Sequence, residues 1–338
     1  MACGFGVGLL IVASGSRPLA SPAQDGAITG SRYIQTVQPG DTLTSVGARA
    51  GADVRGLARL NGLAPNAKLD VGRPLVIDSR HVVPRGLETR IVINIPQRML
   101  FVFRGGRLDT AYPVGLGRPT WQTFTGPFSI ERLETDPTWD VPPSIQEEMR
   151  RSGQPVIQRV PSGPTNPLGK YWIGLDRAGF GIHGTNAPSS IYQFQTHGCI
   201  RLRPDDIADL FARVAVGMAG EVVYAPLLFA VTASGAVSIE AHPDVYRRSG
   251  DLHRHARELA ERRGLTLLID WARADAAIAQ RDGLVTDVTR IDSAFDTSAL
   301  GAGIRDDTRG ARDLDDTGYA LTDGATRSAT ACYREAQR

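Results

Sequence analysis

The stretch "FQTHGCIRLRPDDI", residues 194–207, sets a cysteine between a glycine and an Ile-Arg-Leu run, with a histidine two residues before it. A thiol with the ordinary pKa of about 8.5 is mostly protonated at neutral pH, so a nucleophilic Cys199 needs a base or a positive neighbour. Two histidines can serve: His197, next to Gly198, and His183 in "GFGIHGTN", residues 179–186. Gly198 permits a tight turn, and the N–H groups of Gly198 and Cys199 can then point at the oxygen of an attacked carbonyl. If the segment is extended, Arg201 projects to the same side as Cys199, where it lowers the thiol pKa or grips a substrate carboxylate. The competing readings are a small buried cysteine and a surface ion pair for Arg201. Pro204, Asp205 and Asp206 then open a helix. Its Ile207, Leu210, Phe211 and Val214 follow the amphipathic i, i+3, i+4, i+7 spacing, which makes them core residues without chemistry.

Working outward, residues 90–131 read as strands: "RIVINI" alternates, Pro96-Gln97 interrupts, "RMLFVF" resumes, and Gly105-Gly106 marks a hairpin. The stretches "TAYPVGL" and "GPFSIERL" continue the pattern, so this region is mainly β. Pro and Gly recur between 136 and 170, which predicts a long irregular connection of the kind that lines binding sites. Nearer the start, residues 33–78 form a small unit. Tyr33, Gln35 and Val37 alternate as in a strand, and Pro39-Gly40 breaks it. Asp41 or Thr42 caps a helix carrying Leu43, Val46 and Ala50 inward. A second helix follows Asp53, with Leu57 and Leu60 on one face, and "RPLVI" closes the unit as a strand. A short linker follows at 79–86. After residue 225 comes an extension, 226–296, with an Arg- and Ala-rich helical segment at about 250–282. Residues 297–338 lack periodic apolar positions and read as a disordered tail holding Cys332.

A chain of 338 residues that is 42% hydrophobic accommodates two domains and linkers. Its 38 basic residues nearly cancel its 36 acidic ones, with no long block of one sign, which argues against a nucleic-acid partner or an anionic membrane surface. Residues 1–24 carry an apolar run from Phe5 to Ala13 followed by small residues, the pattern of a secretory signal and too short to span a bilayer. No Lys or Arg precedes the run, and Cys3 lies before it, the reverse of a lipoprotein signal. Cleavage leaves Cys199 and Cys332, too few for a disulfide framework. One cysteine and two histidines offer three metal ligands at most, and Asp205 and Asp206 are better used at a helix start, so no metal or other cofactor is expected.

Two resemblances add to this reading. In residues 33–78, "VQPGDTL", "LARLNGL" and "LDVGRPLVI" resemble the LysM domain, an α+β unit of strand, helix, helix and strand. That resemblance implies binding to the N-acetylglucosamine-containing glycan of peptidoglycan. Farther on, "IHGTN", "THGCIRL" and "RPDDI" are similar to the YkuD-type L,D-transpeptidase catalytic domain, with supporting matches in "TFTGPF", "DPTW" and "NPLG" over residues 89–225. "EAHPDVY", residues 240–246, resembles a segment of the branch that includes lipoprotein-anchoring enzymes. The implied fold is a mainly β catalytic domain, a β-sandwich with a short helix.

By position the resemblance makes Cys199 the acylated nucleophile and His183 the general base, held by the carbonyl of Gly184. Thr196, His197 and Gly198 support the site, and Arg201 binds substrate. The residues alone do not rank the two histidines. The implied reaction attacks the amide after diaminopimelate in a tetrapeptide stem, releases D-alanine and leaves a thioester. A diaminopimelate amine or the lysine of an outer-membrane lipoprotein then takes the acyl group, in the periplasm and without a cofactor. With water as acceptor the activity is an L,D-carboxypeptidase, and a third reading is an inactive wall-binding protein. One departure from the family pattern, "TFTG" for Thr-Pro-Thr-Gly, is expected to loosen a turn and touch no catalytic group.

Overall fold

The computed structural model describes residues 27–84 and 90–291. The readings made for residues 1–24 and 297–338, Cys3 and Cys332 included, lie outside the described residues. The N-terminal unit has its two helices between a pair of antiparallel strands, Arg32–Thr36 and Pro74–Asp78. Helix α1, Leu43–Ala50, starts where Thr42 and Ser45 cap each other's backbone N–H groups, and ends where Gly51 turns left-handed. Helix α2, Val54–Leu60, is capped by Asp53. Leu43, Val46, Leu57, Leu75 and Ile77 close its core. The first strand departs from the expected half-buried alternation: Tyr33 and Ile34 are both exposed, and among the described residues nothing covers them.

The predicted linker is not a loose connection. His81–Val82 forms a short strand against Ile28–Thr29, and His81, Val82 and Val83 are all buried. Residues 85–89 lie outside the described part of the chain.

The second region is mainly β. Its sheet runs in the order Ile200–Arg201, Gly181–His183, Tyr171–Leu175, Gly126–Thr135, Ala219–Val223, Ile91–Asn94, Met99–Arg104 and Arg107–Pro113. Two neighbouring pairs are parallel, Ile91–Asn94 with Ala219–Val223 and Gly181–His183 with Ile200–Arg201. Ile91–Asn94 is buried at every position, as the continuous apolar run "IVI" requires of a strand covered on both faces. The Gly105-Gly106 turn has φ of 58° and 74°, which suits the tight hairpin read from the sequence. In the stretch expected to be irregular, the chain forms a helix α3, Pro143–Arg151, between the paired strands Trp139–Asp140 and Arg159–Val160. None of its side chains is fully buried, and its apolar stripe is one half-buried pair, Ile145 and Met149, too short to stand out in the sequence. Helix α4, Pro204–Arg213, lies where predicted and buries Ile207 and Leu210.

The third region sets a three-stranded antiparallel sheet, Leu227–Val231, Val237–Ala241 and Thr286–Asp287, against helices α5, Leu252–Arg262, and α6, Trp271–Gln280. It has its own apolar cluster, including Phe229, Ile239, Ala256 and Ile278.

Candidate active site

The parallel pairing of Gly181–His183 with Ile200–Arg201 builds the site. Ile182 lies opposite Ile200 and both are fully buried in the sheet core. Side chains alternate along a strand, so His183, Arg201 and the flanking Cys199 project to the other face together. Arg201 acts electrostatically on both Cys199 and His183. Its Nε is buried without a hydrogen-bond partner, and among the described residues no carboxylate pairs with its guanidinium. Among the described residues Arg201 is thus a cation near the thiol without a carboxylate partner, suited to an anionic group of a ligand.

His183 Nδ1 lies 2.7 Å from Gly184 O. A carbonyl only accepts, so Nδ1 donates and Nε2 holds the lone pair, the tautomer that takes up a proton. Trp172, its cross-strand partner, stacks on the ring with centroids 5.7 Å apart. Burial, reinforced by the Arg201 charge, pushes the imidazole pKa down to about 3, so His183 is neutral at physiological pH. Burial likewise pushes the Cys199 thiol up, against smaller opposing effects from the Gly181 backbone and Arg201. The resting pair is a neutral thiol and a neutral imidazole. Cys199 Sγ is 3.5 Å from Gly179 O.

Hydrogen bonds fix the turn before the nucleophile on both sides. Thr196 Oγ1 accepts from Gly198 N at 3.1 Å and donates to Cys199 O at 2.6 Å. Two converging amides from Gly198 and Cys199 were expected. The Gly198 N–H is instead committed to Thr196, which leaves Cys199 N–H as the amide able to face a carbonyl oxygen. Gly198 has a φ of +108°, and a Cβ there would stand 2.8 Å from Phe180 Cε1, so only glycine fits. Phe124, the departure from the family pattern, packs edge-on against Phe180 with centroids 5.0 Å apart and so supports the ring that covers Gly198.

His197 points elsewhere. Its Nε2 meets Glu148 Oε2 of helix α3 at 2.5 Å, Arg118 bonds the other oxygen of Glu148, and the ring sits edge-on to Trp121. Sequence reasoning missed Trp172, Arg118 and Glu148. For Trp172 the signal was the strand "YWIGL" facing His183. Glu148 sits on a short helix with one apolar pair, Ile145 and Met149, and gave none. Elsewhere, His81, Glu240 and His242 gather three potential metal ligands. Their contacts of 2.7 and 2.8 Å are those of direct hydrogen bonds, and the Glu240 carboxylate also accepts from Val82 N and Gln97 Nε2.

Residues 88–224 match the L,D-transpeptidase catalytic domain and residues 36–78 match the LysM domain. A Salmonella typhimurium protein named "Probable L,D-transpeptidase ErfK/SrfK" is 30% identical over 244 residues, which cover 68% of this chain and 75% of that one. The chain belongs to the L,D-transpeptidase family of enzymes. The Escherichia coli family member of the same name is 27% identical over 283 residues, 79% of this chain and 89% of its own length. Among solved L,D-transpeptidases, that from Mycobacterium smegmatis aligns with a TM-score of 0.31 at 23% identity, over 46% of this chain and 64% of that one. This family member therefore spans a little under two thirds of that structure's length.

Proposed function

We propose that this chain transfers the acyl group of peptidoglycan tetrapeptide stems through a thioester on Cys199. The observation that supports the reading is the pairing of His183 with Arg201 on adjacent parallel strands, with the Arg201 charge, which no carboxylate of the described residues pairs, acting on both His183 and Cys199. His183 Nε2 takes the thiol proton as sulfur adds to the carbonyl of the amide after diaminopimelate. The same proton then goes to the departing D-alanine nitrogen. Cys199 N–H faces the developing oxyanion, and Arg201 binds the free carboxylate of the stem. An amine then attacks the thioester: a diaminopimelate side chain gives a cross-link, and a lipoprotein lysine gives an anchored lipoprotein. The LysM unit binds the glycan, and the protein acts on the wall from the periplasm. No helix of the described residues is long and apolar enough to cross a membrane.

The test is intact mass spectrometry of the protein incubated with a disaccharide tetrapeptide, with and without a diaminopimelate amine. A thioester adduct on Cys199 that releases D-alanine and resolves into a dimer is the expected result. An adduct that only hydrolyses assigns an L,D-carboxypeptidase, and no adduct refutes the donor. Cys199→Ser and Cys199→Ala should lose the adduct while unfolding at nearly the wild-type temperature, and turnover retained in Cys199→Ala would dismiss the thiol mechanism.

A further inference from the structure

Resting on the reading of Cys199 as the nucleophile, we propose that Thr123 and Tyr246 are positioning residues for acylation, their hydroxyls locking the Gly198–Cys199 peptide so that the Cys199 amide faces the attacked carbonyl. Thr123 is fully buried, and its Oγ1 donates to Gly198 O at 2.9 Å while accepting from Gly117 N at 3.0 Å. Tyr246, from the segment after the catalytic region, completes the lock. Its hydroxyl donates to Gly117 O at 2.6 Å and accepts from Thr123 N at 3.2 Å. The ring is held in turn by stacking on Tyr224, whose own hydroxyl accepts from Tyr246 N.

A trans peptide carries its C=O and N–H on opposite sides. Fastening Gly198 O to Thr123 therefore turns Cys199 N–H away from Thr123. Gly198 lacks a Cβ to restrain its dihedrals, so the orientation of this plane depends on an external hold. Thr196 already takes the Gly198 amide and the Cys199 carbonyl, and Thr123 takes the remaining carbonyl of the turn. The departure "TFTG" keeps the threonine that makes this contact, so the motif does reach the catalytic turn.

The test separates two reactions of the same thiol. With p-nitrophenyl acetate, sulfur adds to the ester carbonyl, the oxyanion collapses, p-nitrophenolate leaves and acetyl-Cys199 remains. With iodoacetamide, sulfur displaces iodide at a saturated carbon and no oxyanion forms. Thr123→Val should slow ester acylation about tenfold to a hundredfold, somewhat less than outright loss of an oxyanion donor, and leave alkylation within about twofold. Thr123→Ser should restore acylation, and Tyr246→Phe should slow acylation several-fold, again with alkylation unchanged. Wild-type acylation in Thr123→Val, or a proportional fall in both reactions, overturns the proposal. Should Thr123→Val fail to fold, Tyr246→Phe decides alone, and an unchanged ratio of the two rates is fatal. A wild-type protein that reacts with neither reagent at Cys199 removes the nucleophile and this proposal together. If the ester shows the altered ratio but the disaccharide tetrapeptide gives no wild-type adduct, the wall donor is refuted and the positioning role stands.

Discussion

A raised thiol beside a lowered imidazole means that Cys199 does not idle as a thiolate. In the proposed reaction the proton moves to His183 as sulfur adds to a carbonyl, and there the Arg201 cation favours the thiolate while it disfavours the imidazolium, so the pair is charged only as the Cys199 amide meets the developing oxyanion. Alkylation of Cys199 by iodoacetamide should therefore rise with pH through a midpoint above the ordinary thiol value. A midpoint below 7, the mark of a preformed thiolate–imidazolium pair, would contradict this picture. The same shift has a stability consequence. His183 binds its proton at about 6.5 when unfolded and at about 3 when folded, so its contribution is fully present above pH 6.5 and is lost as pH falls toward 3. Urea unfolding at pH 7 and pH 4.5 should show a larger drop for wild type than for His183→Gln, by on the order of 1 kcal/mol per pH unit. Equal drops would mean that the imidazole is not buried neutral.

At the scale of elements, the sequence revealed those whose causes are local. The Gly105-Gly106 hairpin, the capped helices α1 and α2, and the stripe of α4 each follow from residues a few positions apart. Cys199 and Arg201 stood out in one short motif, whereas the residues alone left His183 and His197 unranked, because the pairing that sets His183 opposite Arg201 joins strands 18 residues apart. What stayed hidden depends on distant partners. Thr123 meets Gly198 across 75 residues, and Tyr246 reaches Gly117 across 129. No periodicity encodes such contacts. Helix α3 was missed because it is short and fully buries no side chain: Pro143 at its start and Arg150 and Arg151 pairing with Glu147 hold it as a helix, and Glu148 fastens it to His197 and Arg118. Glu148→Ala should therefore speed amide exchange across 143–151 while hardly changing the melting temperature. Unaltered exchange there would show that other contacts hold α3.

At the scale of the molecule, the three regions meet at a buried polar junction. His81 Nε2 lies 2.8 Å from Gly51 O of the LysM unit, and its Nδ1 lies 2.7 Å from Glu240 of the third region. Both partners only accept, so both ring nitrogens are placed to donate. Gln97 joins from the catalytic sheet, bonding Glu240 and Val82 O. Nearby, Arg98 bonds Asp53 and the Tyr192 carbonyl, and Arg59 bonds Asp282. Burial alone would raise the Glu240 carboxyl, but the facing histidines hold it at about 2, so its stabilisation is present above about 4.5 and lost as pH falls toward 2. Glu240→Gln should cost roughly 3–5 kcal/mol, because it leaves the buried donors of His81 without their anion. The melting temperature should fall by roughly 5–15 °C, and an unchanged value would show that the junction is incidental.

The buried His81–Val83 segment also sets a rule for anyone who would cut this protein into cassettes. Ala48 of the LysM unit shares one apolar cluster with Met99, Phe101, Ile191 and Tyr192 of the catalytic region. A catalytic fragment begun after residue 84 would bare that patch and strand Glu240 and Arg98 without His81 and Asp53. The wall-binding unit is thus part of the chassis, and grafting a different one onto this enzyme would require carrying the faces of α1 and Gly51 along with it.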